Sequence, residues 1–365
     1  MIVTVGTVKG IVAHFDKIVP DNSIPAEQKV RYFAEPMARV VADEDLDTRS
    51  GSIDEGGSGR TSDLLADVKL DWGDLESGFG DAALVVFGRV CYLMHYVYAM
   101  APYDGITSLV GGRLELEIIA RQPFILRNDL VRSFGAPLST ITVGLPYFGG
   151  GCGSRSCTRA EPLAAVSDWR AGRRVSRVLE VAEPSYTTRA GVAVVEVRSA
   201  FDRGGRLLVR GCDIAVGSGA DADNSRVMLS NAFNRFFGPY RVPNAKIHGQ
   251  AVYSNTSLAS SYQGVGGPKD AFASETSFAQ VAQQLGIDSL ALRPQTLVRP
   301  RKEIRLGKRA IDADPVADLD PVVGGLNAGR PEDNLWHGGG APARPRTGVS
   351  SPCLRQQFAS RRTAS

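Results

Sequence analysis

The sequence predicts a mixed α+β protein. Three observations carry that reading: β-branched stretches that alternate every second residue, a smaller set of stretches with helical apolar spacing closed by glycine, and no visible internal repeat. The strand-like stretches, in order, are 83–90 (ALVVFGRV), 113–120 (RLELEIIA), 139–146 (STITVGLP), 192–201 (VAVVEVRSAF) and 206–217 (RLLVRGCDIAVG), with turn residues between them. Helices are expected at 127–137, closed by Gly135, and at 160–173, closed by Gly172. The strongest helical pattern is at 269–293, where Phe272, Phe278, Val281, Ala282 and Leu285 are expected on one face. Gly286 should end that helix and Asp288 cap a short second one.

Bulk properties narrow the function classes. Apolar content of 43% and charged content of 22% are ordinary for a globular chain. A net charge of +3 gives no footing for nucleic acid, and the Arg-rich run 299–309 reads as a solvated segment. The 5 cysteines are scattered, so a reducing compartment and a cytoplasmic location are expected. Cys152 and Cys157 are spaced C-x4-C with no C-x2-C after them, which reads as a non-ligand pair. The apolar run 82–101 nearly has bilayer length, but Arg89 and His95 interrupt it; one or two buried strands are expected there, not a membrane span. The 4 histidines are far apart with no H-E-x-x-H, and no G-x-S-x-G elbow is present, so neither a protein-ligated zinc site nor that type of serine hydrolase is supported.

One stretch asks for an explanation. From Pro146 to Pro162 the chain reads PYFGGGCGSRSCTRAEP, with a density of glycine that fits either a turn closed to side chains or a backbone that a ligand approaches closely. Spacing alone leaves both open.

Taken in order, 29–43 (KVRYFAEPMARVVAD), 121–137 (RQPFILRNDLVRSFGAP), the glycine run, 253–275 (YSNTSLASSYQGVGGPKDAFASE) and 285–293 (LGIDSLALR) resemble the molybdopterin-binding large subunits of the xanthine dehydrogenase and aldehyde oxidase family. The resemblance implies a partial α/β hammerhead domain with its linker over 1–60. The first molybdopterin-binding domain would follow over 61–305, and a low-complexity, disordered tail over 306–365. It also implies that Gln122, Gly149, Gly150, Gly151, Cys152 and Gly153, together with Tyr262, Gln263 and Gly264, lie against a molybdenum-molybdopterin cofactor, with the cytosine dinucleotide form as one candidate. No protein ligand to the metal is implied, and no catalytic residue is assigned. Electrons would leave through an iron-sulfur subunit and an FAD subunit, since this chain shows no cluster pattern and no flavin fingerprint.

The departures bear on substrate. Arg121 stands in a position usually held by threonine, Cys152 in one held by phenylalanine, and Gln263 and Val265 in positions held by arginine and an aromatic. A flat purine would lose stacking and charge there, so a small aldehyde or another heterocycle is the expected class. Nothing after Leu297 resembles the second cofactor-binding domain that carries the family's catalytic glutamate, which suggests either completion by a separate chain or a noncatalytic truncated remnant. An unrelated dinucleotide-binding enzyme lacks the required G-x-G-x-x-G.

Overall fold

The computed structural model describes residues 63–302 except 98, 102, 148, 154, 156–159 and 180–187, together with 2–4, 14–15, 22–23, 30–32, 35, 38–40, 312–319, 321 and 357–362. Strands β1 (Ile2–Thr4) and β4 (Ala38–Val40) pair with each other, as do β2 (His14–Phe15) and β3 (Asn22–Ser23). A six-stranded sheet is built from β5 (Leu64–Trp72), β6 (Leu84–Tyr92), β13 (Ala193–Phe201), β14 (Leu207–Gly219), β15 (Asn244–Tyr253) and β17 (Gln357–Arg362). Its strands run in the order β17-β6-β13-β14-β15-β5. All of its pairings are antiparallel except β14 with β15. A parallel pair needs a crossover, and the helix Ser225–Arg235 supplies it.

That helix and the long helix Gly267–Leu285 cover one face of the sheet. Val195, Val197, Ile214, Val216, Ile247 and Ala251 from the strands pack there with Met228, Leu229, Phe278 and Val281 from the helices. The long helix ends where the sequence indicates: Gly286 is left-handed at φ 66°, and its N–H reaches the carbonyls of the last turn. Asp288 then caps Ser289–Thr296 by accepting from the Leu290 and Ala291 amides at 2.9 and 3.1 Å. One detail of the expected face is corrected. Phe272 is 39% exposed while Phe278 is fully buried, because six positions at 100° per residue separate them by well over a right angle.

A second, four-stranded sheet is built from β8 (Tyr103–Val110), β9 (Arg113–Ile118), β10 (Ile141–Gly144) and β11 (Val175–Leu179), in the order β10-β9-β8-β11. In β9, Leu114, Leu116 and Ile118 are buried and the residues between them exposed, a strict two-residue alternation. Helices Pro123–Phe134 and Ala160–Ala171 cover this sheet through Leu126, Leu130, Leu163 and Val166. A further short sheet consists of β16 (Leu258–Ser260), β12 (Thr188–Ala190) and β7 (His95–Tyr96).

The apolar run 82–101 resolves into β6 and β7. Leu84, Val86 and Val90 point into the core while Phe87 and Arg89 face outward. Among the described residues no helix is long and apolar enough to cross a membrane. Most of the segment read as a hammerhead domain, and most of that read as a disordered tail, lies outside the described residues. Within the tail, Gln357–Arg362 forms an edge strand on β6. Arg31, in the expected hammerhead segment, pairs with Glu35 and lies 2.6 Å from Asp221 just beyond β14, tying Arg31 and Glu35 to the end of the large sheet.

Candidate cofactor-binding site

Three backbone segments meet at one edge of the helix Pro123–Phe134. The first is the helix start: Gln122 occupies the N-cap position without capping the helix through its side chain, and Pro123 opens the first turn. The second is the glycine run. It is held against that start by the Arg121 amide, which donates to the Arg155 carbonyl at 3.1 Å, and against the chain entering β8 by the Ala101 amide, which donates to the Gly149 carbonyl at 2.9 Å. The third is the turn Ser261–Gly266, whose Gln263 amide donates to the Cys152 carbonyl at 3.3 Å.

The glycines of the run divide into two kinds. Gly153 has φ +104°, and a Cβ there would fall on the Ser261 carbonyl oxygen and lie 2.9 Å from the Tyr262 nitrogen; its bareness serves loop against loop. Gly150 shares the positive φ, at +95°, which by itself favours glycine there, but its surroundings differ: a Cβ on Gly150 would have the Met100 nitrogen at 3.7 Å as its nearest neighbour, and one on Gly151 the Arg155 Cγ at 3.7 Å. Among the described residues nothing approaches these two positions closer than ordinary van der Waals contact, so a ligand can come near their backbone. Cys152, at φ 49°, holds a left-handed conformation without being glycine, and it is exposed. Phe148, Ser154 and Cys157 lie outside the described residues.

Arg155, at the end of the run, is 2% exposed. Its guanidinium lies 4.2 Å from the centre of the Tyr103 ring and donates from Nη2 to the Ala101 carbonyl at 2.6 Å. Burial lowers its pKa, and the nearby Tyr103, Glu161 and Asp104 oppose that shift. Tyr262 sets its ring edge-on to His95 at 5.3 Å, and Val265 (φ 44°) and Gly266 (φ 94°) turn the chain into the long helix.

Beside these loops is a cleft of about 640 Å³ between the helices Pro123–Phe134 and Ser225–Arg235. Gln122, Ser261 and Val265 contribute to its walls, with Arg121, Asn128 and Asn224. Gly149 to Gly153 are not among the wall residues; they adjoin it through the Arg121 and Gln263 backbone bonds. Tyr262, Gln263 and Gly264 likewise sit next to the cleft, behind Ser261. The structure thus brings all the candidate residues into one neighbourhood, with Gln122 alone of them in the cleft wall. Sequence reasoning did not single out Asn128, Asn224 or Asn231. The helix that bears the last is rich in serine and asparagine and buries only Ser225, Met228, Leu229 and Ala232, so its periodicity is faint. Among the described residues no group of three or more His, Cys, Asp and Glu side chains could hold a metal ion.

Bare backbone at Gly150 and Gly151 and side-chain amides at Gln122, Asn128 and Asn224 are gathered on one sheet-and-helix frame. The chain belongs to the molybdopterin cofactor-binding domain family, whose model matches residues 59–297. It is 24% identical over 366 aligned positions to a probable xanthine dehydrogenase subunit of Bacillus subtilis, covering 89% of this chain and 49% of that protein. It is 26% identical to the probable hypoxanthine oxidase XdhD of Escherichia coli K12, over 68% of this chain and 26% of that protein. Among solved structures, the aldehyde oxidoreductase of Desulfovibrio gigas superposes with a TM-score of 0.81 at 20% identity, covering 90% of this chain and 40% of that one. The chain thus spans about half or less of the length of these relatives.

Proposed function

We propose that the chain is a molybdopterin-binding subunit of the molybdenum hydroxylase type, an oxidoreductase component like those of xanthine dehydrogenase and aldehyde oxidase. Gln122, the segment Gly149–Gly153 and the turn Tyr262–Gly264 would hold the cofactor. The observation that carries this reading is the backbone convergence of these three segments: Arg121 to Arg155, and Gln263 to Cys152. The bare backbone at Gly150 and Gly151 suits the acceptor-rich edge and phosphate of a pterin, and the residues present fit the group. When bound, the cofactor supplies two-electron redox chemistry at its metal. The chain's own contribution is donors preorganised on rigid elements, with Gln122 placing a side-chain amide at the cleft.

On the same reading, residues 1–60 form a hammerhead unit, 61–305 the first molybdopterin-binding domain and 306–365 a tail. The pterin carries a cytosine dinucleotide extension, and iron-sulfur and FAD subunits accept the electrons in the cytoplasm. A further chain supplies the second cofactor domain. The B. subtilis relative is itself named as one subunit of its enzyme, which supports an assembly of separate chains.

A noncatalytic remnant or assembly piece is the second reading, and one observation favours it. Asp129, the carboxylate in the cleft wall, is already engaged by Arg132 at 2.7 Å, while Glu161 is buried and its charge acts on Arg155. Neither is placed to take a proton from a substrate.

Purified chain is tested by acid release and oxidation of the pterin to its fluorescent form, together with metal analysis. Near-equimolar pterin is expected. Pterin-free protein from cells that make the cofactor would overturn the proposal.

A further inference from the structure

Strand β6 has an edge that β17 covers only in part. On one side β6 pairs with β13 along its whole length, Leu84–Tyr92; on the other, β17 pairs with Leu84–Arg89 alone. An uncovered strand edge is a row of backbone donors and acceptors that templates pairing with another chain. β17 is also a poor match for the strand it covers. Its register sets Arg361 opposite Val85, Arg362 opposite Leu84 and Gln357 opposite Arg89, although Leu84 belongs to the buried row with Val86 and Val90.

A second copy of β6 matches better. Two β6 strands paired antiparallel about a two-fold axis at Gly88 bring residues of the same face opposite each other, because the side-chain period is two. Phe87 then faces Arg89 of the second copy, Val85 faces Cys91, Val86 faces Val90 and Leu84 faces Tyr92. Arg89 is the one charged residue of the strand, and in this register it meets an aromatic ring instead of another arginine. Phe87 and Arg89 are exposed and Cys91 is half-buried, so the outward row is open to such contacts. The long helix Gly267–Leu285 packs over β6 and β13. Pairing through β6 therefore sets its two copies side by side, two strand spacings or roughly 10 Å apart, an ordinary distance between packed helices.

We propose that the edge of β6 is a homodimer surface and that β17 is a strap occupying it within one chain. When β17 lifts, two copies join through β6 into one continuous sheet, five strands from each. The interface is isologous, with the same strand contributed by both copies.

The test uses the full chain. Ala359→Pro combined with Ser360→Pro disables β17: consecutive strand residues direct their N–H groups to opposite sides, so one of the two prolines must remove a bond to β6. Sedimentation equilibrium is expected to show a dimer dissociation constant about tenfold lower or better in this variant than in the parent. The register is read by adding Val85→Cys and oxidising, followed by a non-reducing gel. Within one chain that thiol and Cys91 lie about 20 Å apart along an extended strand, too far for a disulfide, whereas across the two-fold axis they are opposite. A cross-linked dimer is expected, and it should vanish when Cys91→Ser is added. Val85→Cys without the prolines tests the same register in a chain whose β17 is intact, and cross-linking there should be about tenfold slower. Circular dichroism verifies the fold of each variant. No cross-link in either background, or a dimer that forms without the Val85→Cys cross-link, overturns the β6 surface. Dimerisation of the parent as tight as that of the proline variant overturns the strap.

Discussion

Gly153 has no room for a side chain because the carbonyl of Ser261 occupies the place its Cβ would take. The contact joins residues 108 positions apart and fixes the glycine run to the turn that opens the long helix. It also divides the run by role, since a Cβ on Gly151 would meet no such neighbour. Gly153→Ala is expected to cost about 1–3 kcal/mol from the positive φ alone, with the steric clash on top. Urea denaturation should show the loss directly. Gly151→Ala should leave the denaturation midpoint unchanged and lower the bound pterin. A shift in midpoint for Gly151→Ala equal to that of Gly153→Ala would remove the distinction.

Arg210 is fully buried, and its hydrogen-bond partners are hydroxyls. Its guanidinium donates to Ser199, Ser274 and Ser277 at 3.4, 2.8 and 3.2 Å, and lies 4.8 Å from the Phe278 ring centre. Burial pushes its pKa down to about 10. A buried charge held this way carries a desolvation cost that an apolar residue of similar size avoids. Arg210→Met is therefore expected within about 1.5 kcal/mol of the parent, and Arg210→Ala, which opens a cavity, to lose about 2–5 kcal/mol. Equal losses in both, measured by denaturant titration, would mean that the hydroxyl and ring contacts outweigh the desolvation cost.

Much of this fold is legible in the sequence because the residues that build it repeat with the period of their element. β9 and β13 show alternation, and Gly135, Gly172 and Gly286 mark helix ends. Strand β5 leaves no such mark, because as an edge strand it is mostly exposed and lacks an apolar row. β15 is hidden for another reason: three of its buried positions, Ala245, Gly249 and Ala251, are small, so burial has little effect on composition. Arg210 shows the same limit. It falls in the inward row with Cys212, Ile214 and Val216, where alternation alone expects an apolar residue. At the candidate site the glycines are visible, but which of them is filled by Ser261 depends on a contact no local spacing encodes.

Lys269 and Asp270 open the long helix, and both are buried. Burial pushes the Asp270 carboxyl up to about 8 against the pull of Lys269 and Arg235, and pushes the Lys269 ammonium down to about 8 against the pull of Asp270. Between its ordinary 3.8 and about 8, Asp270 keeps in the native state a proton that the unfolded chain has lost. That stability is full below the unfolded value and is lost as pH rises toward 8. Lys269 acts in the opposite sense: from about 8 to its ordinary 10.5 the unfolded chain holds a proton the native state lacks, so stability rises with pH there. A stability minimum near pH 8 is expected. Asp270→Asn should abolish the falling limb, and a falling limb that persists in this variant would assign it elsewhere.

Glu161 is the carboxylate nearest in sequence to the glycine run, which makes it the obvious candidate for a base, but its surroundings give it another task. It is 2% exposed in the first turn of Ala160–Ala171, and its charge helps keep the buried Arg155 protonated. Arg155 in turn holds the Ala101 carbonyl, and the Ala101 amide holds Gly149. Glu161 therefore acts on the run through Arg155. Glu161→Gln keeps the shape and removes the charge, which should lower stability by about 1–3 kcal/mol. Removing a general base would instead leave stability alone and cut the rate by about 10² to 10⁴. Denaturant midpoints and turnover of aldehydes and N-heterocycles with an artificial electron acceptor separate the two. The expected outcome is a lowered midpoint in the variant, with no turnover by either protein as the isolated chain. Turnover by the parent that disappears in Glu161→Gln at an unchanged midpoint would make Glu161 the base and this chain an enzyme in its own right.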